Sequence, residues 1–196
     1  MTGVILAGGE NRRFPTLKGF IKIGDSTIIE KNLLIMKGMF DEVFISTNMP
    51  EKYFYLGVPL VGDALPSQGP MSGIYSALIN AKGDCVFVVA CDMPFIKKEV
   101  ISLICDRHAD LRSQAIDAVI PIYNNEPQPL FGVYCKTALP YLEEGIANKK
   151  TSLKRFLDKI KTDFIGGSDI RKIDPEGRSF VNINTPEDYE KLIAIS

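Results

Sequence analysis

Short apolar runs alternate with amphipathic segments along the first half of the chain. Residues 3–7 form an apolar run that ends at two glycines, and residues 84–92 (DCVFVVACD) form the most apolar run. Apolar runs of this length are typical of strands that are buried on both faces of a parallel sheet. Further strands are predicted at 41–47 and 58–63. We therefore expect a sheet with residues 84–92 near its centre.

Segments in which apolar residues recur at helical spacing lie between these strands. Thr27 and Glu30 fit the T-x-x-E pattern of a capping box, and the helix predicted after them runs to Gly38. Pro70 stands at the first position of a second helix, and residues 97–108 predict a third. Repeated strand–helix units imply right-handed crossovers. The predicted fold class is α/β, a three-layer sandwich with a mostly parallel central sheet and helices on both faces.

The pattern changes in the second half of the chain. Residues 117–135 predict two strands around a polar turn, and residues 137–160 predict two helices. Residues 177–184 (GRSFVNIN) predict a last strand, and Thr185 is the expected N-cap of a final helix. Because no repeat or linker interrupts the pattern, we expect a single domain over residues 1–196.

Composition narrows the classes of partner. The 196 residues are 45% hydrophobic and 24% charged, with a formal net charge of -1, which is typical of a soluble globular protein. This balance favours neither nucleic acid nor a membrane as a partner. No signal peptide is expected at the N-terminus. With no C-x-x-C pair and one histidine, no zinc site is predicted; Cys85 and Cys91 are expected to be buried thiols in a reducing, cytoplasmic setting.

The glycine-rich segment after the first strand is the strongest local candidate for anion binding. Gly8 and Gly9 follow the carboxyl end of the strand, which is where open α/β sheets bind ligands. Glycines let backbone N–H groups approach a phosphate, and Arg12, Arg13 and Lys18 add positive charge. The segment fits neither G-x-G-x-x-G nor G-x-x-x-x-G-K-[ST]. A tight turn with solvated basic residues is the alternative interpretation.

Several motifs together resemble one family. The segment LAGGENRRFPTLKGF resembles the opening L-A-G-G-x-S-x-R-M-G-x-D-K of the molybdenum cofactor guanylyltransferases, which belong to the nucleotide-sugar-type nucleotidyltransferases. The segments GPMSGIYSAL, CDMPF, QPLFGVY, SLKRFL and FVNINTPEDY resemble later family segments in the same order. Lys18 keeps its place, whereas Phe14-Pro15 stands where the family usually has Met-Gly, Leu17 replaces Asp, and Asn11 replaces Ser.

The resemblance implies a Rossmann-like nucleotidyltransferase fold and a reaction. The family transfers GMP from GTP to the terminal phosphate of molybdopterin and releases pyrophosphate, with Mg²⁺ as cofactor. The N-terminal half would bind the nucleotide and the C-terminal half the acceptor, with transient contacts to cofactor-synthesis proteins or molybdoenzymes. The alternatives are a molybdopterin cytidylyltransferase, a sugar-phosphate guanylyltransferase, and a non-catalytic nucleotide-binding homologue, which the altered Phe14-Pro15 and Leu17 suggest.

The reaction brings two anions together, so positioning and electrostatics must supply most of the acceleration. By resemblance, the catalytic residues are Lys18, Arg13 and Asp92, and Asp92 is also the expected metal ligand. From its position alone, Asp92 fits equally well as the N-cap of a helix that begins near Ile96. The expected nucleotide-binding residues are Leu6, Ala7, Gly8, Gly9, Lys18, Asn48, Asp63, Gly69, Pro70 and Asp92.

Two of these assignments leave alternatives open. Asp63 has a carboxylate that can accept hydrogen bonds from guanine, but the sequence does not show that it does so. At residues 46–48 (Ser-Thr-Asn), the resemblance to the family motif does not settle which of the three residues contacts the nucleotide. Asn182 and Asn184 are the expected acceptor-binding residues, through the acceptor's phosphate or a metal shell, and turn formation before Thr185 is their alternative role.

Overall fold

The structure, a computed structural model, describes residues 1–8, 17–183, 185 and 188. The first half of the chain supplies strands that are separated by helices, as the apolar pattern predicts. In chain order these elements are β1 (Thr2–Leu6), β2 (Lys22–Ile23), β3 (Ser26–Thr27), α1 (Ile28–Lys37), β4 (Val43–Ser46), α2 (Pro50–Tyr53), β5 (Leu60–Val61), α3 (Pro70–Asn80), β6 (Cys85–Ala90) and α4 (Lys98–Asp110).

The second half adds antiparallel pairing and shorter helices. Its elements are β7 (Ala118–Tyr123), β8 (Glu126–Pro127), β9 (Phe131–Cys135), α5 (Leu139–Ala147), α6 (Leu153–Leu157), β10 (Thr162–Ile165) and α7 (Gly167–Ile173). Short 3₁₀ turns also occur, among them Lys18–Phe20 before β2 and Arg178–Phe180 after α7.

The main sheet has the order β10-β7-β9-β6-β1-β4-β5, and β8 pairs with β7. β6, β1, β4 and β5 are mutually parallel, and β10 is parallel to β7. β9 alone of this path runs antiparallel to its two neighbours, β6 and β7. The sheet is therefore mostly parallel, and the apolar strand β6 lies at its centre as predicted.

Helices cover both faces of the sheet, which confirms the three-layer prediction. α1, α4 and α7 pack on one face, where Met36, Ile104 and Ile170 are buried. α3, α5 and α6 pack on the other face, where Ile74, Leu142 and Phe156 are buried. Strand β6 contributes to both, because Phe87 and Val89 point to the first face and Val86 and Val88 to the second.

The predicted helix starts are confirmed. The N–H of Glu30 donates to Thr27 Oγ1, and the Glu30 carboxylate accepts the N–H of Thr27, so α1 begins with a complete capping box. α3 begins at Pro70 after Gly69. At the other end of the chain, the N–H of Asp188 donates to Thr185 Oγ1, as expected for an N-cap.

The strand prediction for GRSFVNIN is wrong. Residues Arg178–Phe180 form a 3₁₀ turn, and 181–183 are extended without pairing to a strand. The apolar residues there are buried by side-chain packing: Phe180 stacks edge-to-face on Phe131 at 5.4 Å between ring centroids, and Ile183 packs beside Ile21 and Ile28. The strand-like pattern of apolar residues therefore reflects burial by side-chain packing, without hydrogen bonding to a neighbouring strand.

Among the described residues, no helix is both long and apolar enough to span a membrane.

Candidate active site

Four predicted site residues stand in equivalent positions at one edge of the sheet. The register aligns Ala90, Leu6, Ser46 and Val61 in one row across β6, β1, β4 and β5. Two residues beyond this row, on the four successive strands, lie Asp92, Gly8, Asn48 and Asp63. Three strand spacings of about 4.8 Å give the row a width of about 14 Å. The four parallel strands thus present one continuous line of candidate ligand contacts at their carboxyl ends.

At the β6 end of this line, Lys18 and Asp92 form an ion pair. Lys18 Nζ donates to Asp92 Oδ2 at 3.0 Å, and the two side chains are 22% and 17% exposed. Lys18 reaches this point because the next residue, Gly19, is buried against Cys91. A Cβ at Gly19 would lie 3.4 Å from the Cys91 Cβ. The pair leaves both charged groups reachable by a ligand from solvent.

The turn that carries Asp92 is held by buried and backbone contacts. The N–H of Cys91 donates to Leu6 O, and buried Asn32 donates from Nδ2 to Met93 O at 3.0 Å. Asn32 lies in α1, and no motif in the sequence indicates this role. Helix α4 starts only at Lys98 and has Lys97 as its N-cap, so Asp92 does not cap it.

At the other end of the line, Asn48 and Asp63 bind each other. Asn48 Nδ2 donates to Asp63 Oδ2 at 2.8 Å, and the N–H of Asp63 donates to Asn48 Oδ1 at 2.8 Å. Ser46 and Thr47 are buried, whereas Asn48 is exposed. Asn48 is therefore the residue of the 46–48 segment that a ligand can reach.

The loop between β5 and α3 is fixed by two buried serines of α3. Ser76 Oγ accepts the N–H of Ala64 at 2.8 Å, and Ser72 Oγ accepts the N–H of Gln68 at 2.9 Å. Gly69 has φ 69° and ψ -151°, a conformation that is essentially restricted to glycine. Gly69 and Pro70 consequently set the path of the chain where α3 begins.

Gly8 has room for a side chain within the described residues. A Cβ built on it would meet no heavy atom within 4 Å, and its φ is not positive. Within the described residues, neither a packing contact nor a positive φ requires glycine at this position, whereas a ligand that approaches the backbone closely would. Leu6 and Ala7 before it are buried. Gly9 and Arg13, with Arg12, Phe14 and Pro15, lie outside the described residues.

The predicted acceptor residue Asn182 lies next to the Asp92 turn. The N–H of Ile183 donates to Asp92 O at 3.1 Å, and the Asn182 amide donates to Phe180 O at 3.4 Å. The chain thus returns to the site edge after α7, and residues 181–183 do so without belonging to a strand. Asn184 lies outside the described residues.

A buried ion pair that the sequence did not reveal anchors this returning segment. Fully buried Asp174 contacts Lys97 Nζ at 2.7 Å and accepts the N–H of Ser179 at 2.8 Å. Ser179 Oγ in turn accepts the N–H of Lys97 at 3.2 Å. Burial by itself raises the pKa of Asp174, but the bonds from Lys97 and Ser179 outweigh it and leave the pKa below its ordinary value.

Replacing Asp174 with Asn should lower the free energy of unfolding by about 3 kcal/mol at neutral pH, because Lys97 and Ser179 lose a charged partner. A carboxylate with a lowered pKa stabilises the fold above its unfolded pKa, and this contribution is lost as the pH falls through the folded pKa. Urea unfolding at pH 7 and pH 3 should therefore show a difference that shrinks in acid. The exposed Asp169→Asn is the matched control and should change stability by less than about 1 kcal/mol; equal effects would contradict the role of Asp174.

The cysteine expectations need correction. Cys85 is not a buried thiol: it is half-buried and forms a disulfide with Cys135, its direct partner across β6 and β9. Cys91 is a free, partly exposed thiol. Desolvation, together with the nearby Asp92 carboxylate, raises the pKa of Cys91 to about 12, so the thiolate form is strongly disfavoured at neutral pH.

The donor set at the site edge suits a hard divalent cation shared with a ligand. Asp92 offers a carboxylate and Asn182 an amide oxygen, and oxygen donors are those that Mg²⁺ prefers. Within the described residues, no group of three carboxylate, histidine or cysteine ligands converges on Asp92. A cation here would therefore be completed by ligand oxygens and water, as is usual where the substrate carries phosphates.

Comparisons with known proteins agree with this arrangement. The chain is 36% identical to a "Probable molybdenum cofactor guanylyltransferase" of Clostridium perfringens, over 98% of this chain and 96% of that protein. It is 33% identical to the molybdenum cofactor guanylyltransferase of Desulfosudis oleivorans, over 99% of this chain and 95% of that protein.

Among solved structures, it resembles the molybdopterin-guanine dinucleotide biosynthesis protein A of Archaeoglobus fulgidus. The TM-score is 0.83 at 26% identity, and the match covers 100% of this chain and 98% of that one. The profile of the MobA-like NTP transferase domain matches residues 3–163. The chain therefore belongs to the MobA-like NTP transferase family.

Proposed function

We propose that this protein transfers GMP from GTP to the terminal phosphate of molybdopterin, forming the guanine dinucleotide cofactor and releasing pyrophosphate. The observation that carries the proposal is the line of Asp92, Gly8, Asn48 and Asp63 across four parallel strands. The line is about 14 Å wide and offers several contacts along the length of one bound nucleotide. The names of the relatives in Clostridium perfringens and Desulfosudis oleivorans support the same reaction.

The nucleotide would lie along this line with its base at the β4–β5 end. Asp63 keeps a carboxylate oriented by Asn48, and a carboxylate can accept the two N–H groups on the edge of guanine. Gly69 and Pro70 would border the nucleoside, and the backbone of Leu6, Ala7, Gly8 and Gly9 would approach the sugar and phosphates. The triphosphate would then reach Lys18 and Asp92 at the β6 end.

Little proton transfer is required of the protein, because the attacking phosphate of the acceptor is already anionic at neutral pH. The residues must hold two anions in line and stabilise the charge of the leaving pyrophosphate. Lys18 would leave Asp92 to bind phosphate oxygens as the ligand enters, and Arg13 would add a second positive charge. A positive group aimed at developing charge is worth most in a site from which water is excluded.

Mg²⁺ is the cofactor that we propose, with Asp92 as its protein ligand. When bound, it would neutralise phosphate charge and polarise the reacting phosphoryl group. Asp92 is fixed for this task by the contacts of its turn with Leu6 and Asn32. Removal of divalent ions with a chelator should abolish turnover, and added Mg²⁺ should restore it.

The C-terminal half would bind the acceptor within the same single domain of residues 1–196. Asn182 lies beside Asp92 and is placed to bind the acceptor's phosphate, with Asn184 two residues further along the chain. A cytoplasmic location, and transient contacts with proteins that supply the pterin or accept the finished cofactor, belong to the same proposal.

Asp63→Asn should reduce the preference for guanine. Wild-type protein should bind GTP more tightly than inosine triphosphate, which lacks the 2-amino group, and the variant should lose about tenfold or more in GTP affinity while the two ligands become nearly equal. Competition binding with GTP, inosine triphosphate and CTP measures this. The exposed Asp158→Asn is the control. An unchanged GTP preference in Asp63→Asn would remove Asp63 from the base site.

The proposed reaction is tested by incubating the protein with GTP, Mg²⁺ and molybdopterin and following the dinucleotide and pyrophosphate by mass spectrometry. Formation of both is the expected result. Product with CTP but not with GTP would identify a cytidylyltransferase, and product only with a sugar phosphate would identify that acceptor class. GTP binding without turnover on either acceptor would identify a non-catalytic homologue.

A further inference from the structure

Two cysteines and the only histidine of the chain meet at the end of β6 opposite to the candidate active site. Cys85 and Cys135 face each other across β6 and β9. His108, near the end of α4, places Nε2 at 3.3 Å from Cys85 Sγ and at 3.2 Å from Cys135 Sγ. The three donor atoms lie within 4.8 Å of one another, and no other such group occurs in the part of the chain that the structure describes.

This cluster borders an open cleft of about 570 Å³. Asp84, Arg112 and Met1 also line the cleft, so solvent and small ions can reach the sulfur atoms. Cys85 starts strand β6 and Ala90 ends it, so five steps of about 3.3 Å separate the cluster from the active-site edge by roughly 16 Å along the strand. The cluster is therefore separate from the Lys18–Asp92 pair, and the proposed reaction does not account for it.

The donor geometry matches a thiophilic metal. In a tetrahedral zinc site, with Zn–S of about 2.3 Å and Zn–N of about 2.0 Å, a ligand nitrogen and sulfur lie about 3.5 Å apart. The two observed distances from His108 Nε2 are close to this value. The two sulfur atoms must separate to about 3.8 Å, which side-chain rotation at opposed cysteines provides once they are reduced.

The imidazole has no competing partner within the described residues. His108 Nδ1 is buried and accepts or donates no hydrogen bond, while Nε2 points at both sulfurs. Once the disulfide is reduced, a nitrogen aimed at two sulfur atoms becomes a metal-ligand arrangement, and two thiolates neutralise the charge of a divalent ion. The three protein ligands leave a fourth position for water from the cleft.

We infer that the reduced pair Cys85 and Cys135, together with His108, binds one thiophilic divalent metal ion, and that the disulfide form does not. The site opens when an added phosphine reductant gives two electrons to the disulfide, is itself oxidised to the phosphine oxide with an oxygen atom from water, and two thiols form. Metal binding then releases the proton of each thiol. The disulfide has no thiolate to offer, so oxidation expels the ion.

Cobalt titration tests this inference on the whole protein. After treatment with a phosphine reductant, which avoids adding a competing thiol, one equivalent of Co²⁺ should produce a thiolate-to-cobalt charge-transfer band and the visible bands of tetrahedral cobalt. Zn²⁺ should then abolish both sets of bands. The oxidised protein should produce neither. A reduced protein without these bands, or an oxidised protein with them, would overturn the inference.

Variants identify the ligands. Cys85→Ser and Cys135→Ser should each abolish the charge-transfer band or reduce its intensity at least tenfold. His108→Ala should lower the affinity for cobalt while the charge-transfer band remains. Cys91→Ser and Cys105→Ser, which alter the two free thiols, are the matched controls and should bind cobalt like the parent. Circular dichroism checks that each variant is folded. Loss of the band in a control variant, with the band intact in Cys85→Ser, would refute the assigned ligands.

Discussion

Asp92→Asn should lower the turnover number at least about a hundredfold with little loss of GTP binding. The amide keeps the shape of the side chain and can still contact Lys18, but it removes the negative charge that the proposed Mg²⁺ requires. Backbone hydrogen bonds from Cys91 to Leu6 and from Ile183 to Asp92 hold the turn, so the substitution should leave it in place. Steady-state kinetics with Mg²⁺ varied at saturating GTP measures the effect.

A charge control separates this effect from a general loss of negative charge. Asp106→Asn removes an exposed carboxylate of α4, away from the carboxyl ends of the parallel strands, and should keep parental kinetics. The Asp92 variant should also need much more Mg²⁺ for half-maximal rate. Near-normal turnover in Asp92→Asn, at an unchanged Mg²⁺ requirement, would rule out Asp92 as the metal ligand.

Lys18→Met should lower kcat/KM for GTP about a hundredfold, since it removes the positive charge that we propose contacts the phosphates. Methionine keeps much of the aliphatic stem, so packing beside Gly19 should persist. The substitution also leaves Asp92 without its 3.0 Å partner. GTP affinity in the absence of metal should fall with kcat, because the lysine would contact the ground-state triphosphate as well as the transition state.

The matched control for Lys18 is Lys22→Met, which removes an exposed lysine four residues further along the chain. A Lys18→Arg variant adds a test of geometry, because a guanidinium keeps the charge but differs in shape and donor arrangement. Partial recovery in Lys18→Arg would support a direct phosphate contact. Parental kinetics in Lys18→Met would exclude Lys18 from the reaction.

The parallel half of the fold could be predicted because its information is local. Strand β6 is apolar throughout, and Thr27 with Glu30 and Gly69 with Pro70 mark helix starts that the structure confirms. Ordered strands then place the residues after each strand at one edge, which brought Asp92 and Asp63 into one line. The edge strand β10 and helix α7 were missed, since the short, partly polar segment TDFI has neither a buried run nor clear alternation.

The remaining features depend on contacts between distant residues. Asp174 and Lys97 are 77 positions apart (174 minus 97), and neither stands in a motif. Cys85 and Cys135 are separated by 50 positions, and pairing of cysteines cannot be deduced from spacing alone. Phe180 and Ile183 lie in a short apolar stretch that reads like a strand, although they are buried by side-chain packing. Predicting such contacts requires the register of the strands and the packing of the helices on the sheet, which only the structure provides.

If the proposed roles hold, the line of site residues across the strands makes the choice of base and the chemistry separately adjustable. The Asn48–Asp63 pair and the Lys18–Asp92 pair lie at opposite ends of the line, and substitutions that far apart usually add in free energy. Within each pair, the side chains touch and their effects should not add. An engineered change of nucleotide could therefore be confined to the ends of β4 and β5, while the proposed catalytic pair at the end of β6 is left unchanged.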